Sequence, residues 1–426
     1  MTIEDLFFEL LQVAIGNRKE LSRIPSAEEW KELFALSKKQ ALTAVAMVAV
    51  SKLNCVSDYG ASLGIPEVVY LKWLGLTAKV AQRNRQVTEA CVELVKLYAR
   101  DGIATCILKG QGNLVNYPEE LRECRTPGDI DVWCKTVDDG GIDIAVSDLD
   151  GKGAHYQKYH GNEAVIEYVK MLHRIASTEP HEGVRYHHID APAVGACGEH
   201  GRTIEVEAHF RPLFLDSPLR NHRLQKWFKI NEQFGVHDAK IGDCVIPTPT
   251  VSFNAVYQLV HIYRHLFDEG VGLRQLLDYY FVLRALHIEQ ETFADRTQSM
   301  AQWAEGMGVA VKSNEEIIHI LSRFGMKKFA GAVMYVLQTV FAMPDEYLIC
   351  PSNQKEGKFL LNEILQAGNF GKYDDRIKHG GTQSQHAWEK TKHNLRLLTH
   401  YPEEVLWEPF FRVYHWIWRR LELWRY

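Results

Sequence analysis

The segment "RTPGDIDVWC" places two aspartates, Asp129 and Asp131, one residue apart inside an apolar run. In a β-strand these two side chains project from one face and the apolar residues around them from the other. Adjacent carboxylates repel, so at least one resists ionising unless a cation lies between them. Mg²⁺ is usually held by one or two carboxylates together with phosphate oxygens and water. The spacing predicts a divalent-metal site, although the pattern alone also fits a solvated strand edge.

A second acidic pair follows in the segment "TIEVEAHF", where Glu205 and Glu207 also share one strand face. A two-metal site holds its ions about 3.5–4 Å apart, and we expect a third carboxylate to complete it. From the residues alone either glutamate serves, and Glu205 also fits an exposed position or an ion pair with Arg202. The two segments together predict three carboxylates on one sheet face.

The turn "LKGQG" stands upstream of the aspartates. Gly110 and Gly112 lack a Cβ, so their backbone N–H groups can approach phosphate oxygens where a strand turns into a helix. Lys109 adds a positive charge at the same turn, although it also fits a surface lysine after a strand. This pattern predicts a phosphate-binding turn near the metal site.

Three histidines lie on the β segments "VRYHHIDA" and "TIEVEAHF", which we expect to flank the acidic strand. There His187, His188 and His209 would orient a ligand carboxylate or contact the substrate. Neutral core histidines give the same pattern, and the sequence leaves both interpretations open.

The motifs "LKG", "RTPGDIDVW", "YHHI" and "VEAHFRP" together resemble the uncharacterised nucleotidyltransferase family of the DNA polymerase beta superfamily, over most of the chain. The resemblance implies an α+β fold, in which a small mixed sheet with helices is flanked by N- and C-terminal helical regions. It implies that Asp129, Asp131 and Glu207 are the catalytic residues and the three metal ligands. Lys109 and Gly110 would occupy the phosphate turn.

The resemblance also implies nucleotide contacts for Arg125, His188 and His209. Arg125 precedes the aspartate pair, where this family often has a basic residue, but it also fits an ion pair with Glu119 or Glu123. Lys109-Gly110 stands where the superfamily has Gly-Ser. Phosphate recognition is therefore left to backbone N–H groups and an ammonium.

The implied reaction transfers a nucleoside monophosphate from a nucleoside triphosphate (NTP) to an unidentified acceptor and releases pyrophosphate, with Mg²⁺ or Mn²⁺ bound. The acceptor would be a small molecule, a tRNA end or a protein. One alternative is a non-catalytic nucleotide-binding or regulatory protein on the same fold. Another is a helical interaction module whose acidic strand is incidental.

The elements that would position these residues follow from hydrophobic periodicity. Residues 1–100 show helical spacing, residues 101–215 alternate strand and helix patterns, and residues 216–426 return to helical spacing. We expect an N-terminal helical region, a nucleotidyltransferase α/β core and a C-terminal helical region. The final aromatic and basic segment, "RVYHWIWRRLELW", fits a membrane-surface helix or, as we prefer, a helix packed against the protein.

Composition limits the partners. The 49 basic and 54 acidic residues give a formal net charge of −5, which provides no global positive field for a long nucleic acid. Eight scattered cysteines without a CxxC pair predict reduced thiols and no structural zinc cluster. The chain shows no secretory leader, and its longest apolar run is shorter than the ~20 residues that cross a bilayer. We therefore expect a cytoplasmic protein without a membrane partner.

Overall fold

A computed structural model describes residues 1–55, 63–137, 141–147, 154–181, 183–194, 203–232, 235–294, 311–374, 376 and 383–424. The chain divides into two compact units, each built from separate stretches of sequence. The helical unit comprises Met1–Asn84, Asn116–Thr126 and Val251–Val405. The α/β unit comprises Arg85–Val115, Pro127–Thr250 and Leu406–Tyr426. The mixture of helices and small sheets predicted from the sequence is confirmed.

The helices of the described residues are α1 (Ile3–Ile15), α2 (Ala27–Lys39), α3 (Thr43–Cys55), α4 (Glu67–Arg100), α5 (Glu119–Arg122), α6 (Gly161–Ala176), α7 (Pro218–Ile230), α8 (Val251–Asp268), α9 (Leu273–Ala294), α10 (Asn314–Arg323), α11 (Lys327–Phe341), α12 (Gln354–Ala367), α13 (Gln383–Leu398) and α14 (Pro402–Trp424). The strands are β1 (Ile103–Ile107), β2 (Ile130–Thr136), β3 (Ile142–Ser147), β4 (Ala154–Tyr159), β5 (His188–Val194), β6 (Ile204–His209), β7 (Val236–Ile241) and β8 (Cys244–Pro249). Short 3₁₀ helices span Gly110–Asn116, Asp345–Tyr347 and Asn369–Gly371.

A four-stranded mixed sheet with the strand order β1-β2-β6-β5 organises the α/β unit. β1 is antiparallel to β2, β2 is parallel to β6, and β6 is antiparallel to β5. The four strands lie in the segments from which they were predicted. The glycine-bearing segment "PAVGACGEHGR" between the last two strands predicts a turn and hence a hairpin, and β5 and β6 do pair antiparallel. One expectation was wrong: β2 is flanked by β1 and β6, so β5 lies one strand further from the aspartates than predicted.

Side-chain alternation gives this sheet two unlike faces. Ile130, Val132 and Cys134 of β2 are buried in a hydrophobic core with Leu94 of α4 and Val165 of α6. Burying one such side chain contributes about 1.5–3 kcal/mol. The intervening residues of β2 therefore project from the opposite face, because a one-residue slip would expose the whole apolar set. Burial of the apolar face thus decides where the acidic residues point.

Local sequence signals define several ends in the helical unit. Capping boxes begin α1, α2 and α10 at Thr2, Ser26 and Ser313, and the spacing of Ser26 and Glu29 alone predicts the second of these. α8 begins directly after Thr250 and ends shortly before Gly270, whose φ is +103°. α8 is buried over nearly its whole length, so its stability comes from packing on several sides.

Two β-hairpins differ from the sequence prediction. Residues 135–162 are rich in Gly, Asp and Lys, which predicts a loop with one short strand, but β3 and β4 form a hairpin there. β7 and β8 form another after residue 216, where helices were expected. Pro247 and Pro249 weaken the strand signal of β8, because proline cannot donate to a ladder. The predicted turn "PAVGACGEHGR" lies mostly outside the described residues, as do Cys197 and Arg202.

Helix α14 packs on one face and is exposed on the other. Phe411, Tyr414 and Trp418 surround the ring of Tyr186, which confirms the predicted packing for this face. Seven large apolar side chains are exposed elsewhere on the helix: Leu406, Trp407, Phe410, Val413, Trp416, Ile417 and Leu421. Across the described part of the chain, we find no helix with the length and apolar character needed to span a bilayer.

Candidate metal centre

The polar sheet face brings acids and histidines of three strands into two adjacent rows. Asp131 of β2 lies opposite Glu207 of β6, and Glu207 lies opposite Asp190 of β5. In the next row His209 of β6 lies opposite His188 of β5. Paired residues project from the same side of a sheet. The alternation predicted from the sequence therefore gathers these side chains on one face.

The ammonium of Lys109 lies at the aspartate pair. Its Nζ is 3.0 Å from Oδ2 of Asp131 and 3.8 Å from Oδ2 of Asp129. The side chain of Asp131 is 1% exposed and that of Asp129 is 30% exposed. Burial acts to lower the pKa of Lys109, but the charges of Asp129, Asp131 and Glu207 outweigh it and raise the pKa. Lys109 thus supplies positive charge where the sequence analysis expected only a metal ion.

His209 joins the carboxylates of β2 and β6. Its Nε2 is 3.1 Å from Oδ1 of Asp131 and 3.2 Å from Oε2 of Glu207. An Nε2–H in this position donates to both oxygens. Burial acts to lower the pKa of His209, but hydrogen bonds and charges from the two carboxylates raise it to about 9. The ring therefore carries a positive charge at neutral pH.

The two glutamates of β6 have different surroundings. Glu205 is exposed, whereas Glu207 is partly buried beside the histidines. Burial acts to raise the pKa of Glu207, but the hydrogen bond from His209 and the positive charges of Lys109 and His209 hold it well below its usual value. Glu207 is therefore an ionised carboxylate next to Asp131, as preferred from the family resemblance.

His188 and Asp190 extend the centre onto β5. Burial lowers the pKa of His188 to about 4, although the charge of Glu207 acts in the opposite direction. His188 is therefore neutral at pH 7, the form in which imidazole binds metals. Burial and the charge of Glu207 raise the pKa of Asp190. Asp190 holds its proton more readily than Glu207 does.

Three sets of donors in the described part of the chain offer ligand atoms within 4.8 Å of one another. The sets are Asp131–Glu207–His209, His188–Asp190–Glu207 and His187–His188–His209. Asp129 belongs to none of them. Carboxylates suit Mg²⁺ and Mn²⁺, and imidazoles suit zinc and related transition metals. The cluster thus has the chemistry of a metal centre.

Residues 26–304 match the family described as uncharacterised nucleotidyltransferase. The chain belongs to this nucleotidyltransferase family. The matched region contains every residue of the cluster, and it confirms the family resemblance seen in the motifs. No curated protein and no solved structure matches the chain significantly. The family name indicates nucleotide transfer, a reaction that generally uses an NTP and a divalent metal.

The turn after β1 positions Lys109. β1 ends at Ile107, and a 3₁₀ helix begins at Gly110. Gly110 has a φ of +60°, a conformation that favours glycine. A Cβ on Gly112 would lie 2.0 Å from the carbonyl oxygen of Ile107. The chain therefore reverses immediately after the strand, and this brings Lys109 to the aspartates. Phosphate binding by the turn stays a prediction.

Arg125 is engaged within the helical unit. Its Nε and Nη2 donate to Oδ1 and Oδ2 of Asp278, each at 2.8 Å. The hydroxyl of Tyr117 donates to the same carboxylate at 2.6 Å. Arg125 and Asp278 are buried. Since a phosphate contact would require this bidentate pair to break, the nucleotide role of Arg125 stays a prediction.

Asp190 is the acid that the sequence analysis overlooks. The segment "HHID" separates His188 from Asp190 by one residue, the same spacing that singled out Asp129 and Asp131. This spacing could have identified Asp190 as a polar residue that shares a strand face with His188. Its position beside Glu207 depends on strand pairing, which the spacing alone does not give.

Proposed function

We propose that the protein is a metal-dependent nucleotidyltransferase that transfers a nucleoside monophosphate from an NTP to an acceptor and releases pyrophosphate. The observation that carries the proposal is the pairing of Asp131 with Glu207 on adjacent parallel strands, with Lys109 against Asp131 and Asp129. Family membership supports the reaction class. Placement in the DNA polymerase beta superfamily, with a polymerase-beta-like core, is part of the proposal.

Asp129, Asp131 and Glu207 would hold the divalent ions. Bound Mg²⁺ or Mn²⁺ would lower the pKa of the acceptor and neutralise the triphosphate. His209 holds Asp131 and Glu207 in one orientation through its Nε2–H. When the cation binds, Lys109 would exchange its contacts with the two aspartates for contacts with phosphate oxygens. Its ammonium would therefore remain next to negative charge.

In this reaction an acceptor oxygen attacks the α-phosphorus of the NTP. The new oxygen–phosphorus bond forms as the bond from the α-phosphorus to the bridging oxygen breaks. That bridging oxygen leaves with its electron pair as part of pyrophosphate, and the acceptor proton passes to solvent or a nearby carboxylate. Positioning and charge stabilisation contribute most of the rate enhancement in such transfers.

One observation favours a second candidate, a non-catalytic nucleotide-binding or regulatory protein. Lys109 and His209 already place two positive charges against the carboxylates. The acids therefore have a structural use that does not depend on metal. In this case the cluster of acids and histidines would bind an NTP without transferring its nucleoside monophosphate.

The test incubates the full chain with each α-labelled NTP, Mg²⁺ or Mn²⁺, and a panel of small hydroxyl compounds, tRNA and protein acceptors. We expect one NTP to label one acceptor class and release pyrophosphate. Asp129→Asn is the first variant, because its half-buried side chain tolerates change, and Asp131→Asn is the second. Asp143→Asn, at an exposed position on β3, is the matched control.

The outcomes separate the candidates. Transfer that persists in both site variants would refute the assigned ligands. Metal-dependent NTP binding by calorimetry, without pyrophosphate release from any acceptor, would favour the non-catalytic alternative. If no NTP raises the melting temperature in the presence of either metal, both candidates fail, because a ligand that binds only the folded state must stabilise it.

A further inference from the structure

Three histidine rings meet on the polar sheet face. The ring centroids of His187 and His188 are 4.4 Å apart, and each lies 5.1 Å from the centroid of His209. Each ring offers a nitrogen within 4.8 Å of a nitrogen of the other two. For a tetrahedral zinc ion with Zn–N bonds of about 2.0–2.1 Å, ligating rings have centroids about 5 Å apart. The rings therefore have the spacing of imidazoles around one ion.

Both buried rings lie close to carboxylates. Nε2 of His209 contacts Asp131 and Glu207, and Nδ1 of His209 is buried without a hydrogen-bond partner in the described structure. Metal-binding histidines usually direct their other ring nitrogen to a carboxylate as His209 does. Nε2 of His188 lies 3.7 Å from Oδ1 of Asp190, and Nδ1 of His188 lies 3.7 Å from Oε2 of Glu207. Nδ1 of His209 is therefore the nitrogen most directly available to an ion.

His187 supplies the third nitrogen. Its Nε2 lies 3.0 Å from Nδ1 of His188. Two ring nitrogens at this distance either share a proton or both bind a cation between or beside them. The carboxylates near His209 favour a positive charge on this cluster, and a metal ion at Nδ1 provides that charge in place of a second ring proton. A cation thus satisfies all three rings.

The backbone holds these histidines in place. The N–H groups of Phe210 and Arg211 both donate to the carbonyl of His187 at 3.1 Å, and the N–H of Arg185 donates to the carbonyl of His188 at 2.9 Å. His188 and His209 are buried, whereas His187 is partly exposed. An ion could therefore enter from the His187 side and keep a position open for water or substrate, as catalytic zinc sites do.

We propose that His187, His188 and His209 form a binding site for one zinc-class transition-metal ion, distinct from the carboxylate site for Mg²⁺ or Mn²⁺. Imidazole ligands favour zinc, nickel, copper and iron over magnesium. The site does not depend on nucleotidyl transfer, since binding of the metal alone defines it. Its open position faces the same sheet surface as Glu207.

The test strips the full chain of metal with EDTA and titrates it with Zn²⁺ by calorimetry. We expect one equivalent to bind, with the affinity reduced at least tenfold in His187→Ala and His188→Ala. His222→Ala, at an exposed position on α7, should bind zinc like the unchanged protein. Circular dichroism identifies a variant that fails to fold, and His187→Ala, at the partly exposed ring, is the variant expected to keep the fold.

Cobalt provides an independent readout on the unchanged protein. Co²⁺ bound by imidazoles should give visible absorption bands that Zn²⁺ removes and that are missing in His187→Ala. Absence of zinc binding, or an equal zinc affinity in His187→Ala and His222→Ala, overturns the inference. Asp129→Asn should bind zinc normally. Zinc binding without any NTP turnover would support this site and refute only the proposed reaction. NTP turnover without zinc binding would support the proposed reaction and refute this site.

Discussion

Replacing Lys109 with methionine separates the structural and the catalytic use of the aspartates. Nζ of Lys109 lies 3.0 Å from Asp131 and 3.8 Å from Asp129. At an effective dielectric constant of about 20, these distances correspond to about 5.5 and about 4.4 kcal/mol of attraction, before desolvation is subtracted. Removing one partner of a buried pair costs about 3–5 kcal/mol in measured cases. Because Asp131 keeps His209, we expect the low end, about 3 kcal/mol.

A divalent cation should reverse this loss in Lys109→Met. In the unchanged protein Mg²⁺ or Mn²⁺ must displace the ammonium, whereas in the variant the carboxylates have no such competitor. We expect the cation affinity to rise at least tenfold, which is about 1.4 kcal/mol. At a cation concentration one hundred times its Kd, binding would then add about 2.7 kcal/mol to the stability of the variant. NTP binding should weaken, because the ammonium that we propose binds phosphate is gone.

The assay is urea unfolding with EDTA and with saturating Mg²⁺ or Mn²⁺, together with calorimetry of the cation alone. Lys158→Met, at an exposed position on β4, controls for the loss of a lysine from a strand or turn of the same unit. The reasoning is refuted if Lys109→Met loses no more stability than Lys158→Met in EDTA. It is equally refuted if the cation stabilises both variants to the same extent.

Three further predictions test other parts of the structure. The pKa of His209 is raised from 6.5 to about 9, which corresponds to a contribution of about 3 kcal/mol to the free energy of unfolding. This contribution should be complete below pH 6.5 and lost as the pH rises through 9. Urea unfolding in EDTA should show this decline for the unchanged protein and not for His209→Gln. Arg125→Ala should lower the unfolding free energy by about 3 kcal/mol, since it leaves Asp278 buried without its cationic partner and with only the Tyr117 hydroxyl. NTP affinity should not change. Weaker NTP binding at unchanged stability would instead support the predicted phosphate role of Arg125. Gly112→Ala should prevent stable folding, because its Cβ would lie 2.0 Å from a backbone oxygen. Gly75 lies in α4, and a Cβ added there would have no neighbouring atom within 4 Å. Gly75→Ala should therefore raise stability by up to about 1 kcal/mol in thermal melts.

Local periodicity was sufficient to predict the four strands of the mixed sheet and the face on which their polar residues lie, but it did not predict the hairpins β3–β4 and β7–β8. Asp129 and Asp131, and likewise Glu205 and Glu207, share a face because alternation has a period of two. The choice of Glu207 over Glu205 rests on the register in which Asp131 pairs with Glu207. Register and strand order depend on long-range packing, which periodicity does not give. Before the structure, the preference for Glu207 therefore came only from the family resemblance.

Contacts between distant parts of the chain explain the remaining differences. Arg125 pairs with Asp278, 153 positions away, so a search among neighbouring acids could not identify this partner. Adjacent strand residues normally face opposite sides, which would separate His187 from His188. β5 begins at His188, so His187 is outside the strand and its ring turns toward the cluster. Long-range pairing and the exact start of a strand are the features that periodicity specifies least.

The charge balance of the cluster explains how folding and metal binding can be separate events. Repulsion between adjacent carboxylates is the reason to expect a metal ion from the sequence. In the folded chain, part of that repulsion is offset without a metal ion. Asp129, Asp131 and Glu207 bring three negative charges, and Lys109 and His209 bring two positive ones. The remaining single negative charge is too small to hold two divalent ions. A triphosphate adds its own negative charge and offers Lys109 a new partner, so metal ions would bind most strongly when the nucleotide arrives with them.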